Sequence, residues 1–365
     1  NVDRLAYSVL FEMDKKANLI DYKIKKTVIH SDVRFTYQTA QDVIDNKEGK
    51  LKNELLLLDS LSGILRKKRQ ESGSINFEST EVKFILDADN NPIDVYFKES
   101  LSTNHLIEEF MLLANKTVAK HIGFPKKEAK TFVYRVHDIP DNDRIATLNN
   151  IVKKFGHSIN NDSSNKLSQS LNSLLKNVKG KQEQQMVETL TIRSMAKAVY
   201  TTNNIGHYGL AFDYYSHFTS PIRRYPDLIV HRLLSSYIDG NKSGDKENVE
   251  RVCKHCSEME KVASQAERES IKFMQVKYLQ NKIGAIYEGV ISGVTEWGLY
   301  VEITENKCEG LVKVSSIKDD HYIYDEKKYA LIGSRTKVSY QIGQKVKIKI
   351  QRADLERKQM DFILV

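Results

Sequence analysis

The hydrophobic period of the chain changes near residue 281. Upstream, apolar residues recur every three or four positions over 53–71, 104–122, 167–175 and 184–198, the spacing that lays one apolar stripe along a helix. Between them, short runs rich in β-branched and aromatic residues at 7–13, 84–86, 95–97 and 132–136 read as strands. Together they predict an α+β unit over residues 1–280. From Gly284 onward short alternating strands take over, at 285–294, 298–302, 308–313, 345–353 and 360–364, and predict a small all-β barrel in residues 281–365. The polar stretch 157–185, rich in Asn, Ser, Lys and Gln, reads as a flexible connection around a short helix, and 240–248 as a solvated loop.

Composition adds a partner class. A 365-residue chain with 40% hydrophobic content can bury a substantial core in two domains, and a net charge of +8 favours a polyanionic partner. No apolar run approaches the roughly 20 residues of a membrane span. Three cysteines cannot build a disulfide framework. Cys253 and Cys256, with His255 between them, lie one turn apart on a charged helical stretch with no second ligand pair, so reduced thiols in a cytoplasmic setting are expected in place of zinc. Asp87-Ala88-Asp89-Asn90-Asn91-Pro92 superficially suggests a calcium loop, but its sixth position is Pro92 where glycine is needed and its twelfth is Lys98 where a carboxylate is needed. It reads as a hairpin turn. The basic run Arg66-Lys67-Lys68-Arg69 ends a long helix, where cations complement the dipole, and reads as a solvated face.

Candidate chemistry concentrates in residues 206–234, where two adjacent arginines, two prolines, four tyrosines and three histidines fall within 29 positions. Ser220 and Pro221 suit a helix start, and Pro226, lacking an N–H, forbids one continuous helix, so a short turn leading into a helix over 227–236 is expected. Arg223 and Arg224 then fall near helix N-termini, where guanidinium and free backbone N–H groups together suit a phosphate.

These residues carry a resemblance. His217-Phe218-Thr219-Ser220-Pro221-Ile222-Arg223-Arg224-Tyr225-Pro226-Asp227-Leu228 resembles the signature of the RNB family of exoribonucleases, which includes RNase II and RNase R. Arg34-Phe35-Thr36-Tyr37, Gly73-Ser74-Ile75-Asn76-Phe77-Glu78-Ser79, Ile107-Glu108-Glu109-Phe110-Met111-Leu112-Leu113-Ala114-Asn115 and Arg135-Val136-His137-Asp138-Ile139-Pro140 follow the family's order, so the resemblance runs the length of the α+β part. The barrel is similar to the S1 RNA-binding module, an OB-fold, through Gly293-Val294-Thr295-Glu296-Trp297-Gly298-Leu299-Tyr300-Val301 and Gly310-Leu311-Val312-Lys313-Val314-Ser315-Ser316.

The resemblance implies processive hydrolysis of RNA from its 3′ end to nucleoside 5′-monophosphates, with magnesium held by four aspartates that lie upstream of the positions matching Asn1-Val2-Asp3-Arg4-Leu5. The chain is therefore expected to be the C-terminal part of a longer protein, without those ligands. By motif position, Arg223 matches the arginine that offsets charge on the cleaved phosphate, Tyr37 a residue that steers the terminal nucleotide, Phe77 a ring that clamps stacked bases, and Glu109 a carboxylate at the terminal ribose. Arg224 is taken as a further phosphate contact, while His217, Thr219, Ser220 and Asp227 are read as shaping the loop. Trp297 and Tyr300 stand beside a turn glycine and suit stacking on bases; Tyr287 is assigned to the barrel core. His321, Tyr322 and Tyr324 are weaker candidates in a polar connection. Single-stranded RNA is the expected partner, with no membrane and no obligatory protein partner. The competing reading is an RNA-binding protein without catalysis.

Overall fold

The computed structural model describes the chain except for residues 1, 76–80, 99, 125–128, 182 and 327 and the side chain of residue 81. In chain order the elements are β1 (Arg4–Met13), β2 (Leu19–Ile29), α1 (Tyr37–Asn46), α2 (Lys52–Glu71), β3 (Glu81–Leu86), β4 (Pro92–Lys98), α3 (Ser102–Gly123), β5 (Tyr134–Val136), α4 (Asn142–Val152), α5 (Ser164–Val178) and α6 (Gln184–Ser194). There follow β6 (Val199–Thr201), α7 (Tyr225–Ile238), α8 (Lys246–Gln280), β7 (Ile286–Thr295), β8 (Gly298–Ile303), β9 (Glu309–Lys313), β10 (Tyr322–Asp325), β11 (Ala330–Gly333), β12 (Ser339–Gln341), β13 (Lys345–Asp354) and β14 (Gln359–Leu364). They form two compact units, one from residues 1–76, 100–139 and 196–260, the other from 77–99, 140–195 and 261–365.

The first unit is built on α3. Val118 and Ala119 are wholly buried against Phe132, Val133, Tyr134, Tyr200, Phe218, Val230 and Leu234, which joins α3, the short β5–β6 ladder and α7 into one core. The antiparallel hairpin β1–β2 adds Tyr7, Val9 and Ile24 to this core from one face, as strand alternation requires. The end of α2 is not the solvated face its sequence suggests. Arg69 keeps only 10% of its side chain exposed and bonds Glu109 on α3 through Nε at 3.2 Å, and Lys68 Nζ binds the carbonyl of Lys16 at 2.7 Å and Asn18 Oδ1 at 2.6 Å. Tertiary carboxylates and loop carbonyls claim these cations, which helix position alone could not reveal.

In the second unit β13, β14, β9, β8 and β7 close a barrel. Along β8 the side chains alternate strictly: Leu299, Val301 and Ile303 are fully buried, while Tyr300 and Glu302 between them are partly exposed on the outer face. Ile348, Ile350 and Phe362 complete the interior. A separate sheet, β10-β11-β12, forms where a polar connection was expected, and it buries Tyr322 against Tyr340 with ring centroids 5.4 Å apart. Tyr322 is thus a packing residue and not an RNA contact. Hairpin β3–β4 turns at 87–91, where Asp87 Oδ1 accepts from the N–H groups of Asp89 and Asn91 at 2.9 and 2.8 Å.

The segment 157–185 also departs from expectation. It holds α5, a 15-residue helix capped by Ser163, whose Oγ accepts from Lys166 N, with Leu167, Leu171, Leu174 and Val178 buried. Four apolar residues at helical spacing dock it on α6, so the helix expected over 167–175 is present and runs longer, from 164 to 178.

Candidate functional site

The arginine turn belongs to the first unit and is held from below. Residues 215–218 run extended: Tyr215 O accepts from Arg135 N on β5 at 3.0 Å, Ser216 Oγ donates to Val133 O at 2.6 Å, and Phe218 N donates to Asn115 Oδ1 on α3 at 2.9 Å. At Pro221 the chain turns, with Ser220 O accepting from the N–H groups of both Arg223 (3.3 Å) and Arg224 (3.0 Å). Helix α7 then starts at Tyr225, and Pro226 sits in its first turn, where a missing N–H costs nothing.

Asp227 fixes the turn. It is wholly buried, and its Oδ1 accepts from Ser220 N and from Arg224 Nη2, each at 2.8 Å. The two arginines therefore differ. Arg224 is folded inward on Asp227 with 21% of its side chain exposed, which puts it in support of the turn and takes it away from a shared grip on phosphate. Arg223 is exposed, touches Ser220 Oγ at 3.4 Å and makes no ion pair with any described residue. A cation held on an anchored turn with no internal counter-charge is poised for an external anion.

His217 and His207 beside it carry no charge at neutral pH. His217 Nδ1 lies 2.8 Å from Tyr200 Oη, and the Tyr200 ring lies under the Arg135 guanidinium at 4.6 Å, itself paired with Glu260 at 2.6 Å. Burial first, then the charges of Arg224 and Arg135, lowers the His217 pKa to about 2; burial with His137 and Arg135 lowers that of His207 to about 3. His231 stacks on Phe218 at 4.5 Å and donates from Nε2 to its carbonyl at 2.7 Å. His207 and His217 thus add no positive charge to the segment and serve as neutral packing and hydrogen-bonding groups. Tyr200 had no signal of this role in its spacing, while Arg135 and Asn115 were legible only as parts of motifs.

The other residues singled out are dispersed. Tyr37 begins α1, 48% exposed, behind the Thr36 cap, and its carbonyl accepts from Thr103 Oγ1 at 3.0 Å. Glu109 is 3% exposed and bound to Arg69. Phe77 lies outside the described residues. No hydrogen bond or ion pair among the described residues joins Tyr37 or Glu109 to the arginine turn. In the second unit, Trp297 occupies the β7–β8 turn with 68% of its surface exposed, and its carbonyl accepts from Val314 N at 3.0 Å. Tyr300 stands on the outer barrel face opposite Gly293, where any Cβ would come within 3.5 Å of its ring. Tyr287 is half-buried.

Among the described residues no three carboxylate, imidazole or thiol side chains converge on a point that could hold a metal. The Cys253 thiol is buried and its pKa is pushed up to about 12 by that burial, the opposite of what a metal-binding thiolate requires. No described helix is long and apolar enough to cross a membrane.

A family model described as "RNB domain" matches residues 1–240. The chain belongs to the RNB family. Beyond the RNB region, a model described as "S1 RNA binding domain" matches residues 280–364. Ribonuclease R of Thermotoga maritima is 38% identical over 385 residues and that of Aquifex aeolicus 36% over 379, each covering 100% of this chain. The chain spans about half the length of these relatives, 52% in both cases. The structure titled as the apo form of Mycoplasma genitalium RNase R superimposes with a TM-score of 0.92 at 26% identity, covering 100% of this chain and 58% of that one; the same protein has been solved with ribose methylated single-stranded RNA at the same similarity. RNB membership accounts for the ordered motifs from Arg34 to Asp227.

Proposed function

We propose that this chain supplies the arginine turn, the RNA path and the S1 barrel of an exoribonuclease that processively hydrolyses RNA from its 3′ end to nucleoside 5′-monophosphates in the cytoplasm. The observation that carries the proposal is the contrast within the arginine pair: Arg224 is consumed by buried Asp227, and Arg223 is left exposed without a counter-charge. Supporting it are the RNB membership and the RNA complex of the Mycoplasma genitalium enzyme. In this reading the chain's own residues bind and position. Arg223 offsets the negative charge that grows on the reacting phosphate, Asp227 and Ser220 hold the turn that presents it, and Trp297 and Tyr300 stack on bases of the incoming strand. Carboxylate-held magnesium, which activates water in such hydrolysis, needs ligands beyond those described.

The test is a 5′-labelled oligoribonucleotide assayed with magnesium once the family's metal site is complete. Stepwise shortening from the 3′ end with mononucleotide release is expected, and Arg223→Ala should slow it by about a hundredfold or more while affinity for a long RNA hardly moves. Arg223→Lys should fail almost as badly, because an ammonium lacks the planar two-point grip. A fully active lysine variant would remove Arg223 from this role, and binding without any shortening would favour a non-catalytic RNA-binding protein.

A further inference from the structure

In the second unit α4, α6 and the β10–β11 turn line a half-open surface cavity of about 250 Å³. Its apolar floor is Leu148 and Leu190, 2% and 6% exposed. Arg144 and Arg193 form its walls, and no aspartate or glutamate lines it. Arg144 Nη1 donates to the carbonyl of Arg193 at 3.2 Å, which fixes one guanidinium beside the residue that carries the other. Neither arginine makes an ion pair with a described residue. Both side chains are exposed, so water hydrates these guanidiniums until an anion joins them. The C-terminal dipole of α6 accounts for the favourable position of one cation but leaves most of the donors of both guanidiniums unused.

Tyr329 closes the rim. It sits at φ +48°, a left-handed conformation that a bulky side chain rarely adopts and that a turn keeps only when something else fixes it. Cations beside an aromatic ring above an apolar floor match the parts of one nucleotide: phosphate on the guanidiniums, base on the ring. The volume lies below the roughly 300–1,000 Å³ of sites for drug-sized ligands, which fits a single such group.

We propose that this cavity is a second nucleotide subsite, which takes one backbone phosphate of single-stranded RNA on Arg144 and Arg193 and the adjoining base against Tyr329. The proposal rests on the RNA-binding reading above. The test is fluorescence anisotropy of the full chain with a 5′-fluorescein oligoadenylate of about twenty nucleotides across a salt series. The double variant Arg144→Gln/Arg193→Gln should bind about tenfold more weakly near 0.1 M salt, and its slope of log affinity against log salt should be shallower by about 1.4, the release of two phosphate counterions on a single strand. Tyr329→Gly relieves the backbone strain, so it should melt no lower than the parent yet bind about tenfold more weakly, with the slope unchanged. This arm decides the question even if the arginine variant folds poorly. Parent-like affinity and slope in both variants, with the parent itself binding, would overturn the subsite alone. A parent chain that does not bind the oligonucleotide would overturn the RNA reading and the subsite with it.

Discussion

At the residue scale, the neighbours Arg223 and Arg224 do opposite work because Asp227 can satisfy only one of them. Arg224→Ala leaves the fully buried Asp227 carboxylate without its guanidinium and should cost about 3 kcal/mol of stability, by the usual penalty for breaking a buried pair. Its melting temperature should fall by several degrees, in contrast to Arg223→Ala, which removes an exposed group and should melt like the parent. The neutral histidines add a pH dependence. His207 and His217 have folded pKa values of about 3 and about 2, well below an unfolded value of about 6.5. Above that value both folded and unfolded chains are neutral at these rings, so nothing is lost. Below it the unfolded chain takes up protons that the fold refuses, and stability falls by about 1.4 kcal/mol per pH unit for each histidine. Urea midpoints between about pH 6 and 4 should show this decline, and His217→Asn, which keeps an acceptor for Tyr200, should flatten it by about one proton.

At the element scale, the barrel separates interior from presented surface by strand alternation. The interior of β8 is aliphatic and sealed, so Trp297 and Tyr300 are free to act from outside it. Replacing both with alanine should weaken single-stranded RNA binding by about 1 to 3 kcal/mol for each lost stack and leave the salt dependence unchanged, since stacking releases no counterions. Unchanged affinity in the folded double variant would mean that neither ring meets RNA. Gly298 is where β8 begins, at φ +148°, and a Cβ there would stand 2.0 Å from the carbonyl oxygen of Val312 on β9. Gly298→Ala must therefore push β9 away or break the ladder, and a clear drop in the melting temperature of the barrel, by more than the roughly 1–3 kcal/mol of ordinary overpacking, is expected in a calorimetric scan.

At the scale of the whole molecule, the net charge of +8 is a field and not a site. It should make affinity for any single-stranded RNA fall linearly in log salt, by about 0.7 per phosphate contacted, with little regard to sequence. A series of homopolymers at several salt concentrations checks this, and a flat response would contradict an electrostatic footprint. Contact grouping also divides the chain otherwise than periodicity does. The change at 281 marks where strands replace helices, whereas the compact unit containing the barrel also includes 77–99 and 140–195. Periodicity reports local structure, and compactness depends on which distant segments share a core.

Much of the fold was legible because its signals are local. The helices α2 and α3 and all five barrel strands follow from apolar period, and the 87–91 turn follows from Asp, Asn and Pro chemistry. The arginine turn was readable from Ser220, Pro221 and Pro226 for the same reason. Elements whose apolar residues are sparse or short were not: α1, α4 and the β10-β11-β12 sheet acquire their shape from packing against partners far along the chain. The roles of charged and aromatic residues were the least legible. Sequence placed Arg223 and Arg224 side by side, the first as the arginine at the cleaved phosphate by resemblance and the second as a further phosphate contact, and gave Arg69, Glu109 and Tyr322 as surface or substrate groups. Only the tertiary structure decided that Asp227 takes Arg224, that Arg69 takes Glu109 and that Tyr322 packs on Tyr340, because a side chain's free charge or face is whatever its spatial neighbours leave unused.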